Sequence, residues 1–225
     1  MSRELPTPIT CLVTGGETTP ASEEFRRVLA LVEAAVAARV SVVQLREKSL
    51  PARTLFELAA RAAALTRGSE TLLVVNDRAD IARAAACDGV HLTAQSLEAR
   101  TVRRAFGEDF LIGVSAHTLA EARAARDGGA DFAVLGPVFD TPSKRAYGPP
   151  LGTETFREAA LALAPFPLLA IGGVARDNFR DVLLAGARGV AAIRLFGDAT
   201  QLQRTVREFE DVFNEGAGAA RDSAA

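Results

Sequence analysis

The chain has few aromatic residues and no large excess of either charge. None of its 225 residues is Trp, one is Tyr, and the formal net charge is −2. Surfaces that bind duplexes normally carry a basic excess, and proteins that hold single strands stack the bases on aromatic side chains. These absences argue against a nucleic acid as the partner of this protein.

Long apolar runs and closely spaced cysteines are also missing. No stretch approaches the ~20 apolar residues that cross a bilayer, and the start, MSRELPTPIT, lacks the apolar core of a signal peptide. Cys11 and Cys87 stand far apart and match no metal-binding spacing. They are typical of buried free thiols in a reducing compartment, so we expect a cytoplasmic protein that does not enter a membrane.

What the sequence does contain is an alternation of short apolar runs and Ala-rich helical segments. Hydrophobic residues make up 48% and charged residues 24% of the chain, which is the profile of a globular protein. The eight predicted strands cover residues 9–13, 40–45, 72–75, 89–92, 110–114, 132–135, 168–171 and 190–193. The predicted helices cover residues 22–39, 55–65, 79–86, 97–106, 118 onward, 153–163, 178–185 and 200–213.

Strands that alternate with helices form a parallel sheet, because each return to the same edge needs a helical crossover. Eight such units in this length predict an α/β protein made of a single (β/α)8 TIM barrel across residues 1–215. An open doubly wound sheet is the alternative. Residues 216–225 show no periodicity, and we expect a disordered C-terminal tail there.

Polar residues follow the second predicted strand, and barrels of this class build their active sites at that end of the strands. Gln44, Arg46 and Lys48 are spaced two apart, so they face the same way in an extended segment. Charges that face the inside of a barrel are costly unless they have partners. The structural alternative is an ion pair between Arg46 and Glu47 or a carboxylate of a neighbouring strand.

The next three predicted strands also end in polar residues. Asn76 and Asp77 follow strand three, where an Asp is also a common helix cap. His91 lies in strand four, and Ser115 and His117 follow strand five, two residues apart. A lone His is often a core or capping residue, so both histidines are open to a structural as well as a catalytic interpretation.

A long loop follows strand six, and loops of this length in compact domains usually have a function. Its hydroxyls and adjacent cations suit an anion with several acceptor oxygens, because each group can donate a hydrogen bond to it. These residues are Thr141, Ser143, Lys144 and Arg145. Chain order places the loop at the same rim as the polar residues of strands two to five.

The loops after strands seven and eight are the usual phosphate site of such barrels. Gly172 and Gly173 follow strand seven, and glycines let backbone amides approach phosphate oxygens. The cations near this rim are Arg46, Lys48, Lys144, Arg145, Arg176 and Arg194. Local positive charge on a slightly acidic protein indicates a multiply phosphorylated small substrate, with Asp77 a candidate ligand of a Mg²⁺ ion that bridges its oxygens.

Several segments together resemble the thiamin phosphate synthase superfamily, over roughly residues 9–196. That superfamily also contains the thiazole tautomerases. The segments are QLREK from Gln44, NDRAD from Asn76, GVHL from Gly89, IGVSAHT from Ile112, GPVF from Gly136, TPSK from Thr141 and IGG from Ile171.

The resemblance implies a transfer reaction in which hydroxymethylpyrimidine diphosphate loses pyrophosphate and a thiazole phosphate nitrogen captures the pyrimidine cation. It assigns Gln44, Arg46 and Lys48 to the diphosphate and pyrimidine, and Asn76 and Asp77 to the diphosphate and its Mg²⁺. Ser115 and Lys144 would donate to the leaving pyrophosphate. Thr141, Ser143 and the backbone around Gly173 would hold the thiazole phosphate.

Two positions depart from the family pattern. Ser96 stands where the family has an Asp as second Mg²⁺ ligand, which weakens the expected metal site. Ser96 could instead cap a helix that begins at Leu97, and Glu98 could compensate if it points inward. Arg194 replaces a small residue such as Ser, and it could either contact the phosphate or block part of the pocket.

Two other functions are compatible with these residues. One is an isomerase like the thiazole tautomerases, with His117 as proton carrier, which loss of the second carboxylate favours. The other is a non-catalytic barrel that binds a thiamin precursor. The expected partners are small phosphorylated pyrimidine and thiazole compounds, without nucleic acid or membrane, and a homodimer is one option for assembly.

Overall fold

Eight parallel strands in the computed structural model pair with their neighbours in chain order, and the last strand closes onto the first. The structure describes residues 5–16, 18, 23–141 and 149–222. Within that part the strands are β1 (Ile9–Val13), β2 (Val42–Leu45), β3 (Leu72–Asn76), β4 (Gly89–Leu92), β5 (Leu111–Ala116), β6 (Phe132–Leu135), β7 (Leu168–Ala170) and β8 (Gly189–Ala192). The closure confirms the predicted TIM barrel and excludes the open sheet.

A helix follows each strand and packs on the outside of the barrel. The helices are α1 (Glu23–Ala37), α2 (Ala52–Thr66), α3 (Ala79–Ala84), α4 (Ala99–Phe106), α5 (Leu119–Asp127), α6 (Gly152–Leu163), α7 (Phe179–Leu184) and α8 (Leu202–Asp222). Helix α8 continues past its predicted end at residue 213, so the backbone of residues 216–222 in the expected tail is helical. This stretch is rich in Ala, the residue with the highest helix propensity.

The strands are continuous apolar runs because both of their faces are buried. Inward side chains fill the barrel, and they include Ile9, Val42, Val74, Phe132 and Leu169. Outward side chains form a second core with the helices. Neither cysteine is in a disulfide and both are buried, as predicted. None of the helices in the described ranges has the length and hydrophobicity needed to span a bilayer.

Candidate functional site

The two amides at the ends of β2 and β3 are bonded to each other. Gln44 is 4% exposed, and its Nε2 donates to Oδ1 of Asn76 at 3.1 Å. Because this bond uses the carbonyl oxygen of Asn76, its amide N–H groups remain as donors at the rim. Lys48 lies further along the same segment and is exposed.

Arg46 is not neutralised by Glu47, which has other partners. Glu47 is 3% exposed, and its carboxylate accepts from Thr14 Oγ1 at 2.5 Å and from the Thr18 amide at 3.2 Å. The same Thr14 hydroxyl accepts from the backbone amide of Arg46 at 2.9 Å. Within the described ranges no carboxylate lies in ion-pair distance of the Arg46 guanidinium, whose nearest polar contact is the Gly15 carbonyl at 3.5 Å. The ion-pair interpretation is therefore wrong for these residues.

The sequence did not predict the hydrogen bond between Thr14 and Glu47. This bond ties the start of the loop after β2 to the end of β1, so that Arg46 is held while its side chain stays half-buried at the rim. The available signal was a carboxylate between two cations, directly after an apolar strand. A buried carboxylate needs hydrogen-bond donors, and the nearest neighbouring strand supplies one.

Asp77 adopts a backbone conformation that few side chains other than Gly accept, with φ of 64°. Its amide donates to the His91 carbonyl at 2.8 Å, and its Oδ1 accepts from Ser96 Oγ at 2.5 Å. The capping residue of α3 is Arg78, whose side chain makes no capping bond, so the helix-cap interpretation of Asp77 is wrong. Non-Gly residues with positive φ are concentrated at functional sites.

Ser96 contacts Asp77 and does not cap a helix. Its hydroxyl also accepts from the Thr93 amide at 2.8 Å, which fixes the loop after β4. Helix α4 begins at Ala99 with Glu98 as its capping residue and without a side-chain capping bond, so the predicted cap at Ser96 is wrong. Glu98 itself is exposed. No group of three or more acidic, His or Cys side chains within the described residues forms a complete metal site.

His91 is buried inside the barrel beside Ser115. The imidazole is 2% exposed, and its Nε2 lies 2.9 Å from Ser115 Oγ. Burial lowers the pKa of His91 to about 4 from its ordinary value of 6.5, so the ring is neutral at pH 7. Ser115 is only half-buried and stands between this ring and the rim.

The lowered pKa of His91 predicts an acid-dependent loss of stability. In the unfolded chain the ring binds a proton below about pH 6.5, whereas in the folded chain it does so only below about pH 4. The unfolded state therefore binds more protons between these values, and stability falls as the pH is lowered from 6.5 to 4. Against His91→Gln, which has no titrating ring, the wild type should lose about 3 kcal/mol more unfolding free energy across this window. Urea titrations at several pH values measure the difference, and parallel curves for the two proteins would contradict it.

His117 joins the ends of β5 and β6. Its Nδ1–H donates to the Gly136 carbonyl at 2.6 Å, while the ring as a whole is exposed. Thr118 Oγ1 caps α5 by accepting from the Glu121 amide at 3.2 Å. The Glu121 carboxylate accepts from the amide of His117 at 2.6 Å. Nε2 is the ring nitrogen left to act on a ligand.

The two glycines after β7 are needed for packing as well as for any anion. Gly172 and Gly173 have φ of 89° and 69°. A Cβ on Gly172 would come within 2.5 Å of Pro137, and one on Gly173 within 2.7 Å of both Phe139 and the Asp140 carbonyl. The backbone after β7 therefore lies directly against the loop after β6, which brings the two loops predicted to bind phosphate together.

Arg194 joins this corner, and Arg176 does not. An Arg194 guanidinium nitrogen lies 3.4 Å from Oγ1 of Thr141, which is 6% exposed. Arg176 instead bonds to Glu208 at 3.1 Å and to Thr205 at 3.0 Å, both on α8. The placement of Arg176 among the phosphate-facing cations is therefore wrong, because a carboxylate on the neighbouring helix binds it.

Three predicted residues of the loop after β6 cannot be placed in this geometry. Ser143, Lys144 and Arg145 lie outside the described residues. The remaining candidates form two groups. Residues at the ends of β2–β5 supply amides, cations, a carboxylate and a hydroxyl, and the loops after β6–β8 supply two glycines, Thr141 and Arg194. Such a rim can bind two anionic groups on opposite sides of one opening.

The comparisons of sequence with known proteins agree on one family. The sequence model of the thiamine monophosphate synthase family matches residues 11–196. The thiamine-phosphate synthase of Moorella thermoacetica is 40% identical over 193 residues, which cover 86% of this chain and 91% of that protein. That of Methanoculleus marisnigri is 41% identical over 181 residues, with 79% and 85% covered. The solved thiamine phosphate pyrophosphorylase from Pyrococcus furiosus superposes with a TM-score of 0.76 at 28% identity, covering 93% of this chain and 96% of that one.

Proposed function

This chain belongs to the thiamine monophosphate synthase family, and we propose that it is the transferase that makes thiamin phosphate. It would join hydroxymethylpyrimidine diphosphate to thiazole phosphate with release of pyrophosphate. The observation that carries this proposal is the rim of the barrel. An Arg46 guanidinium without an ion-pair partner among the described residues, the Asp77 carboxylate and the Ser115 hydroxyl lie there, at the ends of three strands.

The reaction needs stabilisation of a leaving group rather than a protein nucleophile. The bond between the pyrimidine methylene carbon and the diphosphate oxygen breaks, and its electron pair leaves with pyrophosphate. The lone pair of the thiazole nitrogen then forms the new carbon–nitrogen bond. Arg46 and Lys48 would bind the diphosphate as its charge increases, and preorganised donors of this kind are among the largest contributors to catalysis.

The pyrimidine would be oriented by the bonded pair of amides. Gln44 is buried and fixed by Asn76, so both side chains are held before substrate arrives. Asn76 keeps its N–H donors for the diphosphate or the ring. Orientation in advance of binding lowers the entropy cost of reaching the reactive geometry.

The donor set around Asp77 fits a magnesium ion that is held mainly by substrate. Mg²⁺ is often bound by one or two carboxylates together with substrate phosphates, and Asp77 supplies one carboxylate with Ser96 Oγ 2.5 Å from it. When bound, the ion would supply positive charge that stabilises the leaving pyrophosphate. Asp77 would be its direct ligand, and Ser96 would orient that carboxylate.

Ser96→Asp tests this account of the metal site. A second carboxylate should tighten Mn²⁺ binding in the presence of pyrophosphate by about tenfold, since hard cations prefer carboxylate oxygen. Electron paramagnetic resonance of free Mn²⁺ gives the affinity without any turnover. Thr93→Val, which removes a neighbouring hydroxyl but adds no charge, is the matched control. An unchanged affinity in Ser96→Asp would mean that another group already fills this position.

The second phosphate would bind between the loops after β6, β7 and β8. Thr141, Gly172, Gly173 and Arg194 lie at that corner, and Ser143 belongs to the same proposal. Arg194 would add a planar pair of donors there, and guanidinium groups suit phosphate well. Lys144 would donate to pyrophosphate from the same loop, as Ser115 would from β5.

A product assay distinguishes this proposal from its alternatives. Enzyme, both phosphorylated precursors and Mg²⁺ are incubated, and thiamin phosphate is oxidised to its fluorescent product. Accumulation that requires both precursors supports the transferase. Isomerisation of a thiazole carboxylate phosphate without metal, lost in His117→Ala, would support a tautomerase instead. Tight precursor binding with neither reaction would indicate a non-catalytic binding barrel.

A cytoplasmic location and a homodimer belong to the same proposal. The substrates are small phosphorylated metabolites, and the thiols of Cys11 and Cys87 are free and buried. Burial raises the pKa of both thiols to about 12, so they stay unreactive. Light scattering on the eluting peak of a sizing column measures the mass, and a monomer would contradict the dimer.

A further inference from the structure

The two ring nitrogens of His91 differ in their hydrogen bonding. One nitrogen, Nε2, lies 2.9 Å from Ser115 Oγ. The other, Nδ1, is buried, and it has no hydrogen-bond partner in the described part of the chain. Buried polar atoms without partners are uncommon and call for an explanation.

Packing accounts for the position of the unpartnered nitrogen. His91 and Gly113 are paired residues of the neighbouring strands β4 and β5. A Cβ on Gly113 would come 2.7 Å from Nδ1 and 2.4 Å from Cζ of Phe132. The ring centroids of His91 and Phe132 are 5.9 Å apart. Because Gly113 has no side chain, there is space for the rings of both His91 and Phe132. Nδ1 of His91 therefore faces carbon atoms and not a polar group.

This confinement favours one tautomer of the neutral ring. A buried N–H without an acceptor is rarer in proteins than an acceptor whose lone pair is unused. Nδ1 is therefore better placed as the unprotonated nitrogen, and Nε2 carries the proton. The bond to Ser115 then runs from Nε2–H to Oγ, and the serine hydroxyl proton has to point elsewhere.

The direction of that proton matters for the chemistry at the rim. The oxygens of the leaving pyrophosphate gain negative charge as the bond breaks and accept hydrogen bonds, so Ser115 helps the leaving group only if its own hydroxyl donates. With the opposite tautomer, Nε2 of His91 would accept a hydrogen bond from the serine hydroxyl, and Ser115 would present only its lone pairs to an anion. That arrangement would be the start of a nucleophilic Ser–His pair, for which this reaction has no use.

We propose that His91 is a positioning residue, which donates from Nε2 to Ser115 Oγ and so turns the serine hydroxyl toward the leaving pyrophosphate. This proposal has two parts. The first part, the tautomer of His91 and its bond to Ser115, concerns the free protein. The second part, the donation from Ser115 to pyrophosphate, rests on the proposed function.

Nitrogen-15 NMR of the histidine rings tests the proposed tautomer of His91 directly. The chain contains only two histidines, so His117→Ala assigns both rings in a protein labelled at His. We expect His91 Nδ1 to resonate as an unprotonated nitrogen and Nε2 as a protonated one in the wild type. A protonated Nδ1 would overturn the proposal, and the result does not depend on any enzymatic activity.

A set of variants tests whether His91 acts on the reaction through Ser115. His91→Leu keeps a similar volume and removes the donor, so kcat should fall by about tenfold or more with a smaller change in KM. His91→Gln retains an amide donor near the position of Nε2, and it should recover most of that loss. In a Ser115→Ala background His91→Leu should cost almost nothing further, because the partner through which it acts is gone.

The outcomes separate this proposal from the proposed function. An equal loss from His91→Leu with and without Ser115 would show that the ring acts independently of the serine, and it would overturn the positioning role. Failure of His91→Gln to restore activity, when its melting temperature matches that of the wild type, would do the same. If the wild type makes no thiamin phosphate, the proposed function fails while the ring spectra still decide the tautomer.

Discussion

Asp77→Asn is expected to lower kcat/KM for thiamin phosphate formation by about three orders of magnitude, while the free energy of unfolding changes by less than about 1 kcal/mol. A metal ion that neutralises a leaving group contributes several kcal/mol to the transition state, and each 1.36 kcal/mol is a factor of ten. Steady-state assays with a Mg²⁺ titration and urea unfolding measure the two quantities.

The substitution is matched to the local structure. Asn accepts the left-handed backbone about as well as Asp does, so the φ of 64° at Asp77 is kept. Its carbonyl oxygen can still accept from Ser96 Oγ, as the carboxylate does now. The substitution removes the negative charge and replaces one carboxylate oxygen by an amide group, and the loss should therefore be in metal-dependent turnover and not in folding.

Asp80→Asn provides the control at a nearby carboxylate. Asp80 is exposed and bonded to the Arg78 guanidinium, which holds the pKa of that carboxyl below its usual range. Exposed ion pairs contribute little to stability, and we expect activity within about twofold of the wild type. Equal losses from Asp77→Asn and Asp80→Asn would indicate a general effect of charge, and the metal assignment would then be wrong.

Arg46→Gln should reduce kcat by about 10²- to 10³-fold, the usual cost of losing one preorganised donor to developing charge. Arg46 has access to an anion, because the neighbouring carboxylate of Glu47 is bonded to Thr14 and Thr18. The same variant should weaken inhibition by pyrophosphate, because product and leaving group are the same molecule. Initial rates with and without added pyrophosphate measure both effects.

Arg176→Gln is the matched control for Arg46→Gln. Both remove one guanidinium, but Arg176 is bound to Glu208 and Thr205 on α8. We expect nearly unchanged kcat and pyrophosphate inhibition in Arg176→Gln. If the two variants lose activity equally, the net charge of the rim matters more than a direct contact from Arg46.

The barrel was predictable from the sequence for a simple physical reason. Parallel strands of a closed barrel are buried on both faces, so each one is an unbroken apolar run with a helical segment behind it. The strand at residues 89–92 is an example, since the predicted and observed bounds of β4 coincide. Chain order alone then places the strand-end residues at one rim.

The pairing of polar groups at the rim was less predictable, because it depends on distances between strands. Sequence spacing showed that Arg46 and Glu47 are neighbours, but it could not show that Thr14, directly after β1, binds the carboxylate. It suggested that Arg176 was near phosphate, whereas a helix distant in sequence binds it. The position of a residue within a strand follows from the local sequence. Which side chain on another strand or helix becomes its partner depends on the folded structure.

Ser96 shows the same limit at the proposed metal site. The sequence identified it as a neutral residue in place of a carboxylate, and it left open whether it capped a helix. The bond from Ser96 to Asp77 depends on two loops that meet at the barrel rim. With one carboxylate and a hydroxyl there, most of the ligands of Mg²⁺ would have to come from the diphosphate.

Phosphorus-31 NMR of a complete reaction tests the central claim most directly. Both phosphorylated precursors are mixed with enzyme and Mg²⁺, and the diphosphate, pyrophosphate and thiamin phosphate signals are followed together. The proposed transfer predicts that pyrophosphate and thiamin phosphate appear in equal amounts as the diphosphate disappears, without orthophosphate. An unchanged diphosphate signal at high enzyme concentration, or its hydrolysis without new thiamin phosphate, would contradict the transferase.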